Sequence, residues 1–122
     1  MILVDTSVWV DHLARGQPAL AAELNAGLVL MHPFVVGELA CGNLRNWQQV
    51  LTALQRLPQA RRATDAEVLS FIEGRKLMGR GIGYVDAHLL ASVALTAPAT
   101  LWTRDKRLAA VAHALSLADP HS

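Results

Sequence analysis

Four acidic residues interrupt segments of this sequence that are otherwise apolar. They are Asp5 after MILV, Glu38 within PFVVGELAC, Asp86 within GYVDAHLLA and Asp105 after LWTR. The other six acids lie in ordinary amphipathic or terminal contexts. A carboxylate in apolar surroundings is costly unless it is paired, protonated or bound to a metal ion. These four side chains are therefore the first candidates for chemistry.

Each of these acids also has a purely structural explanation when it is taken alone. Asp5 and Asp105 are of a residue type that caps helix N-termini. Asp86 could accept hydrogen bonds from the backbone N–H groups of its own first helical turn. Glu38 could pair with Arg45. The case for chemistry therefore rests on whether the four carboxylates come together.

If the four carboxylates converge, their mutual repulsion requires a positive partner. Two carboxylates about 4 Å apart repel each other by about 4 kcal/mol at a surface-like dielectric constant. No Lys or His recurs beside all four acids. A hard divalent cation prefers carboxylate oxygens and retained waters, and it can activate water and stabilise charge on a phosphoryl oxygen. We therefore expect a site for Mg²⁺, with Mn²⁺ as the alternative.

The elements that must position these acids are short apolar strands alternating with helices. The predicted strands are Ile2–Val4, 28–31 and 99–103, with LSLA (115–118) as a last edge strand. The predicted helices are Thr6–Arg15, 18–27, 34–42, 47–57, 64–78, Tyr84–Leu95 and 105–115. For 34–42 the pattern also permits a strand, and a helix packed against a sheet is favoured.

This alternation predicts an α/β protein with a central parallel sheet and helices on both faces, which is a three-layer α/β/α architecture. Ligands of such sheets bind at the carboxyl ends of the strands. Asp5 and Asp105 each follow a predicted strand. We therefore expect both carboxylates at the same edge of the sheet.

Length and composition indicate one domain, 1–122, with one core. The apolar fraction of 52% is high for 122 residues, so the core is generous or an apolar surface meets a partner. No run of about 18 apolar residues lacks a charge, and Asp5 breaks the N-terminal apolar run, so neither a membrane span nor a secretory signal is expected. Cys41 is the only cysteine and is expected to be a small buried residue. An unpaired cysteine fits the reducing cytoplasm.

The basic residues suit a polyanionic partner. Nine of the eleven are Arg, whose guanidinium forks onto phosphate groups. With four acids committed to a metal ion, the remaining six acids leave an excess of five positive charges. Arg104 and Lys106 flank Asp105, where each is either a phosphate contact or part of a solvated helix start. The glycine-rich GRGIG (79–83) lacks the Lys-Ser/Thr of a phosphate-binding loop and is interpreted as a turn.

Four stretches together resemble the PIN domain, specifically the VapC toxins of bacterial toxin–antitoxin pairs. They are MILVDTSVWVDHL, HPFVVGELACGNL, GRGIGYVDAHLLASVAL and LWTRDKRLAAVA, and the resemblance that they carry extends over nearly the whole chain. The resemblance implies an α/β/α fold and a Mg²⁺- or Mn²⁺-dependent endoribonuclease acting on RNA. It also implies a homodimer that is inhibited by a cognate VapB antitoxin. Val8, Leu13 and Trp47 are candidates for the dimer patch.

The resemblance also assigns roles to individual residues. The acidic quartet of the family, which is both catalytic and metal-binding, matches Asp5, Glu38, Asp86 and Asp105. Three aspartates of this acidic quartet would hold one metal ion, and Glu38 would help to hold it or a second one. Thr6 and Thr103 match hydroxyl positions near the metal, and Thr103 would orient a carboxylate or a water. Metal-activated water would attack phosphorus in line and leave 5′-phosphate and 3′-hydroxyl ends.

Two other classes of function also use acids of this kind or a fold of this kind. A phosphatase built on strand-end aspartates needs a second Asp two residues after the first, where Ser7 stands, and a receiver domain needs a late strand-end Lys that is missing. A catalytically silent PIN-like module that binds RNA or protein is the remaining alternative. Such a module is expected to lose part of the acidic quartet, and this chain keeps all of it.

Overall fold

Three parallel strands form one sheet at the centre of the computed structural model, which describes residues 1–122. The strands are β1 (Ile2–Val4), β2 (Val29–Leu30) and β3 (Thr100–Trp102), and β1 lies between the other two. Ile2 is paired with Val29 on one side and with Thr100 on the other. Because all three strands run in the same direction, their carboxyl ends meet at one edge, with the end of β1 in the middle.

Seven helices surround this sheet and confirm the predicted α/β/α fold class. They are α1 (Thr6–Arg15), α2 (Pro18–Asn25), α3 (Pro33–Ala40), α4 (Trp47–Gln55), α5 (Asp65–Arg75), α6 (Tyr84–Leu95) and α7 (Lys106–Ala114). The ambiguous segment 34–42 is helical up to Ala40, so the favoured helix is confirmed and ends two residues early. None of these helices has the length and apolar character needed to cross a membrane.

The helix α6 is the buried helix of the fold. Every residue from 87 to 93 in it is buried, because side chains that are apolar or small, apart from His88, occupy all sides of these two turns. Leu3 and Val4 of the central strand are also fully buried in the same core. Asp86 immediately precedes the buried stretch of α6, so the core fixes the helix that carries it.

The predicted last edge strand is reduced to a single bridge between Leu101 and Ala118. The Leu101 N–H donates to the Leu117 carbonyl at 2.7 Å, and the Asp119 N–H donates to the Leu101 carbonyl at 2.8 Å. Ser116, directly before the bridging residues 117–119, has a left-handed φ of 59°. The chain therefore turns sharply after α7 and meets β3 over too few residues to form a strand.

Some burial predictions were wrong. Cys41 is exposed, because it follows the last residue of α3. Val8 is fully buried and cannot contribute to a dimer patch, whereas Leu13 and Trp47 are exposed. Asp119 does not lie in an ordinary terminal context but is buried, and it accepts a hydrogen bond from the Thr100 hydroxyl at 2.9 Å.

The start of α5 is a reciprocal capping box. The Glu67 N–H donates to the Thr64 hydroxyl at 3.1 Å, and the Thr64 N–H donates to the Glu67 carboxylate at 2.9 Å. These bonds, first of all the one from the Thr64 backbone, lower the pKa of Glu67. The box satisfies two backbone donors that a helix start otherwise leaves free.

Substituting Thr64→Ala is therefore expected to lower the free energy of unfolding by about 1 kcal/mol, the usual value of such a cap. Urea denaturation at neutral pH measures this change, and Thr64→Ser serves as the control that keeps the hydroxyl. Equal midpoints for Thr64→Ala and the wild-type protein would contradict a stabilising role for the cap.

Candidate active site

Asp5 lies at the end of the central strand, between β1 and α1. It occupies the N-cap position of α1, yet its side chain makes no capping hydrogen bond. Its Oδ2 atom instead accepts hydrogen bonds from the Ser7 hydroxyl at 2.9 Å and the Thr103 hydroxyl at 2.8 Å. Only 7% of Asp5 is exposed. The carboxylate is thus a buried, oriented group whose presence helix capping does not explain.

The two hydroxyls that hold Asp5 also join the ends of β1 and β3. The Ser7 hydroxyl accepts the Arg104 N–H at 3.0 Å, and the Thr103 hydroxyl accepts the Asp105 N–H at 3.1 Å. Thr103 is itself buried. Sequence analysis had assigned no site role to Ser7, and the only signal for it was its spacing of two residues after Asp5.

Asp86 shows that the acidic quartet shares one electrostatic environment. Burial raises the pKa of Asp86, and a hydrogen bond from the Gly83 N–H at 3.1 Å opposes this rise. The neighbouring charges of Asp5, Asp105 and Glu38 raise the Asp86 pKa further. The structure therefore brings the other three predicted acids within electrostatic reach of Asp86.

The two exposed members of the quartet are held in different ways. Glu38 on α3 accepts a hydrogen bond from the Thr6 hydroxyl at 2.6 Å and does not pair with Arg45. Asp105 caps α7, because its Oδ1 accepts the Arg107 N–H at 2.9 Å and the Leu108 N–H at 3.1 Å. The capping explanation for Asp105 is thus correct, whereas Asp86 accepts from the N-cap Gly83 and not from its own first helical turn. In both cases only one oxygen of the carboxylate is occupied.

No member of the acidic quartet forms a salt bridge. The acids that do so are Asp11, Asp65 and Asp119, all outside the quartet. No three ligating side chains stand close enough to enclose one metal ion as they are arranged. The site is therefore an open cluster of carboxylates and not a closed cage. Its all-oxygen donor set fits a hard cation that keeps several of its waters, as Mg²⁺ does.

His32 connects two of the helices that carry the quartet, and sequence analysis missed this role. It is fully buried at the start of α3, where its Nδ1 accepts the Phe34 N–H at 3.0 Å. Its Nε2 therefore carries the ring proton and donates to the Ser92 hydroxyl of α6 at 3.1 Å. Burial first, and then electrostatic interaction with the neighbouring His88 and Arg62, lower the pKa of His32 to about 4. A neutral imidazole thus links the Glu38 helix to the Asp86 helix.

Comparison with known proteins gives a consistent family assignment. The family model of the PIN domain matches residues 2–114. Ribonuclease VapC32 of Mycobacterium tuberculosis, in strain CDC 1551 / Oshkosh and in strain ATCC 25618 / H37Rv, is 49% identical to this chain over 110 residues. The matched region covers 90% of this chain and 89% of the relative. The chain therefore belongs to the PIN domain family and is a relative of a VapC ribonuclease.

Proposed function

We propose that this protein is a Mg²⁺- or Mn²⁺-dependent endoribonuclease and the toxin of a type II toxin–antitoxin pair. The observation that carries the proposal is the acidic quartet, in which the charges of the other three carboxylates all act on Asp86 and no member forms a salt bridge. Acids placed together without a cation to balance them fit a site that acquires its positive charge from a metal ion. The kinship with a VapC ribonuclease supports RNA as the substrate.

Asp5, Asp86 and Asp105 would hold one metal ion, and Glu38 would hold the same ion or a second one. When bound, the ion supplies positive charge to the phosphoryl oxygens and lowers the pKa of the water that attacks phosphorus. The protein supplies orientation, because the hydroxyls of Ser7 and Thr103 fix the Asp5 carboxylate.

Thr6 has a comparable orienting role toward Glu38. The short hydrogen bond of 2.6 Å leaves the second carboxylate oxygen of Glu38 free of side-chain donors. Because Thr6 is the first residue of α1 and Asp5 precedes it, this bond couples the α3 carboxylate to the end of the central strand. The junction between β1 and α1 thus carries Asp5 and also holds the Glu38 side chain in place.

The proposed partner is a cognate VapB-type antitoxin, and a groove of about 580 Å³ beside Glu38 is the surface that supports it. Apolar side chains of α1 and of the segment after α3 line this groove, among them Val10, Leu13 and Leu44. Val10 and Leu13 are exposed. A segment of the antitoxin lying in this groove would reach Glu38 of the acidic quartet. A homodimer and action in the cytoplasm belong to the same proposal.

The test is cleavage of a total-RNA preparation by purified protein with Mg²⁺, with Mn²⁺ and with EDTA. We expect cleavage only with metal, 5′-phosphate and 3′-hydroxyl ends, and loss of cleavage in Asp86→Asn. Glu73→Gln is the matched control, because it also removes one negative charge, from the exposed surface of α5.

Other outcomes would exclude the proposal in recognisable ways. Equal cleavage by the wild-type protein and Asp86→Asn would identify a contaminating ribonuclease. Cyclic phosphate ends would show attack by the 2′-hydroxyl, which the proposed reaction does not use. Binding of RNA without any cleavage would favour the catalytically silent PIN-like module.

A further inference from the structure

Three basic residues, Arg104, Lys106 and Arg107, lie next to Asp105 in the sequence, and their side chains make different contacts. The Arg104 guanidinium lies 2.7 Å from the Asp11 carboxylate of α1, so its charge is already paired. Neither Lys106 nor Arg107 has a salt-bridge partner. The difference between these two unpaired cations lies in what holds the side chain.

The Arg107 side chain lies directly against Gly81 in the GRGIG turn. A Cβ atom placed on Gly81 would stand 2.8 Å from Cδ of Arg107, 3.2 Å from its Nη1 and 3.4 Å from its Nε. Such a contact at 2.8 Å is closer than real Cβ atoms allow. Gly81 also has a left-handed φ of 81°, which favours glycine. The missing side chain at position 81 is therefore what lets Arg107 lie across the turn.

This contact places Arg107 between two members of the acidic quartet. Its own backbone N–H is bound to the Asp105 carboxylate at 2.9 Å. The turn it crosses continues to Gly83, whose N–H is bound to the Asp86 carboxylate at 3.1 Å. Arg107 thus spans from the start of α7 to the loop before α6. It is a cation beside the acidic quartet that forms no salt bridge with any of the four carboxylates.

We propose that Arg107 binds a phosphate group of the RNA strand next to the scissile bond and that Gly81 positions its guanidinium for this contact. The proposal rests on the ribonuclease function proposed above. A guanidinium presents a planar fork of donors to phosphate oxygens, and glycine at position 81 leaves open the space that the Arg107 side chain occupies beside the turn. Lys106 has the same charge one residue away but no such support.

The experiment measures the affinity of a fluorescently labelled single-stranded RNA in EDTA, at several salt concentrations, by fluorescence anisotropy. We expect Arg107→Gln to weaken binding about tenfold, as loss of a charge-assisted contact does. It should also reduce the slope of log affinity against log salt by about 0.7, the value for one phosphate on a single strand. Arg107→Lys should keep the slope and lose part of the affinity. Lys106→Gln, the matched control, should weaken binding less than about twofold.

Gly81→Ala tests the positioning role. Introduced alone, Gly81→Ala should weaken RNA binding and reduce the salt dependence of the affinity. Added to Arg107→Gln, it should cause no further change in the affinity or in its salt dependence. Equal effects of Arg107→Gln and Lys106→Gln, or additive effects of Gly81→Ala and Arg107→Gln, would overturn the proposal.

Parallel cleavage assays separate this proposal from the proposed function. If Arg107→Gln binds and cleaves RNA like the wild-type protein, Arg107 has no phosphate role and the ribonuclease proposal stands. If the wild-type protein neither binds nor cleaves RNA, the ribonuclease proposal fails and the role of Arg107 fails with it.

Discussion

Replacing Asp5 with Asn is expected to reduce the rate of metal-dependent RNA cleavage by at least about 1000-fold. A metal ion contributes several kcal/mol of transition-state stabilisation, and each 1.36 kcal/mol corresponds to a factor of about ten in rate. Asn has nearly the same shape but no negative charge. It cannot offset the charge of a divalent cation, so the ion would be bound weakly or in the wrong place.

The same substitution is expected to leave the fold intact. The Asp5 side chain does not cap α1, so no helix start depends on its charge. Its two hydrogen-bond partners are the hydroxyls of Ser7 and Thr103, which can donate to the Asn oxygen or accept from its amide. Removing a buried carboxylate from beside Asp86 also relieves repulsion. A change of only a few degrees in melting temperature is therefore expected.

Single-turnover cleavage of a defined RNA, together with thermal unfolding of the same preparations, measures both effects. Glu73→Gln is again the control for loss of one surface carboxylate, and it should retain the wild-type rate. A cleavage rate for Asp5→Asn within tenfold of the wild-type rate would remove Asp5 from the metal site. Loss of activity together with a collapse in melting temperature would assign Asp5 a structural role.

The sequence could predict the fold and the group of acids because both depend on local patterns. An apolar strand that ends in Asp, followed by helical spacing, is visible within the first fifteen residues. Parallel strands then place the residues that follow them at one edge, so Asp5 and Asp105 could be brought together without knowing any distance. Asp86 and Glu38 could be added to the predicted group because each interrupts an otherwise apolar helix.

Local sequence patterns could not predict which partners hold the site, because these contacts connect residues far apart in the chain. The expectation that Thr103 orients a carboxylate came only from the family resemblance. Thr103 reaches Asp5 across 98 positions, and Ser92 reaches His32 across 60. A single serine or histidine has no periodicity that could reveal its partner. Arg107 was overlooked for a related reason, since its significance depends on Gly81 in another loop.

His32 gives the largest expected dependence of stability on pH. Its pKa falls from 6.5 to about 4 on folding, because the buried ring is kept neutral. Between these two values the unfolded chain binds a proton that the folded protein excludes. His32 therefore does not lower the free energy of unfolding above about pH 6.5, and it lowers this free energy progressively as pH falls toward 4. The loss amounts to roughly 3 kcal/mol, from 1.36 kcal/mol for each pKa unit.

Urea unfolding of the wild-type protein and of His32→Asn between pH 7.5 and 4 tests this expectation. Asn can still accept the Phe34 N–H as a helix cap but has no titrating ring. Over this pH range the free energy of unfolding of His32→Asn should therefore fall by roughly 3 kcal/mol less than that of the wild-type protein. Asp86 acts in the opposite direction, because a carboxyl with a raised pKa gains stability as pH falls, and the difference between the two proteins cancels its contribution.

His113→Asn is the matched control for His32→Asn, because His113 is exposed on α7. It should follow the wild-type pH profile within about 0.5 kcal/mol. Imidazole resonances of the folded wild-type protein provide a measurement that needs no variant, and the His32 signals should not titrate above about pH 5. A His32 signal that titrates near pH 6.5 would show that the ring is open to solvent. It would also remove the neutral link between the helices that carry Glu38 and Asp86.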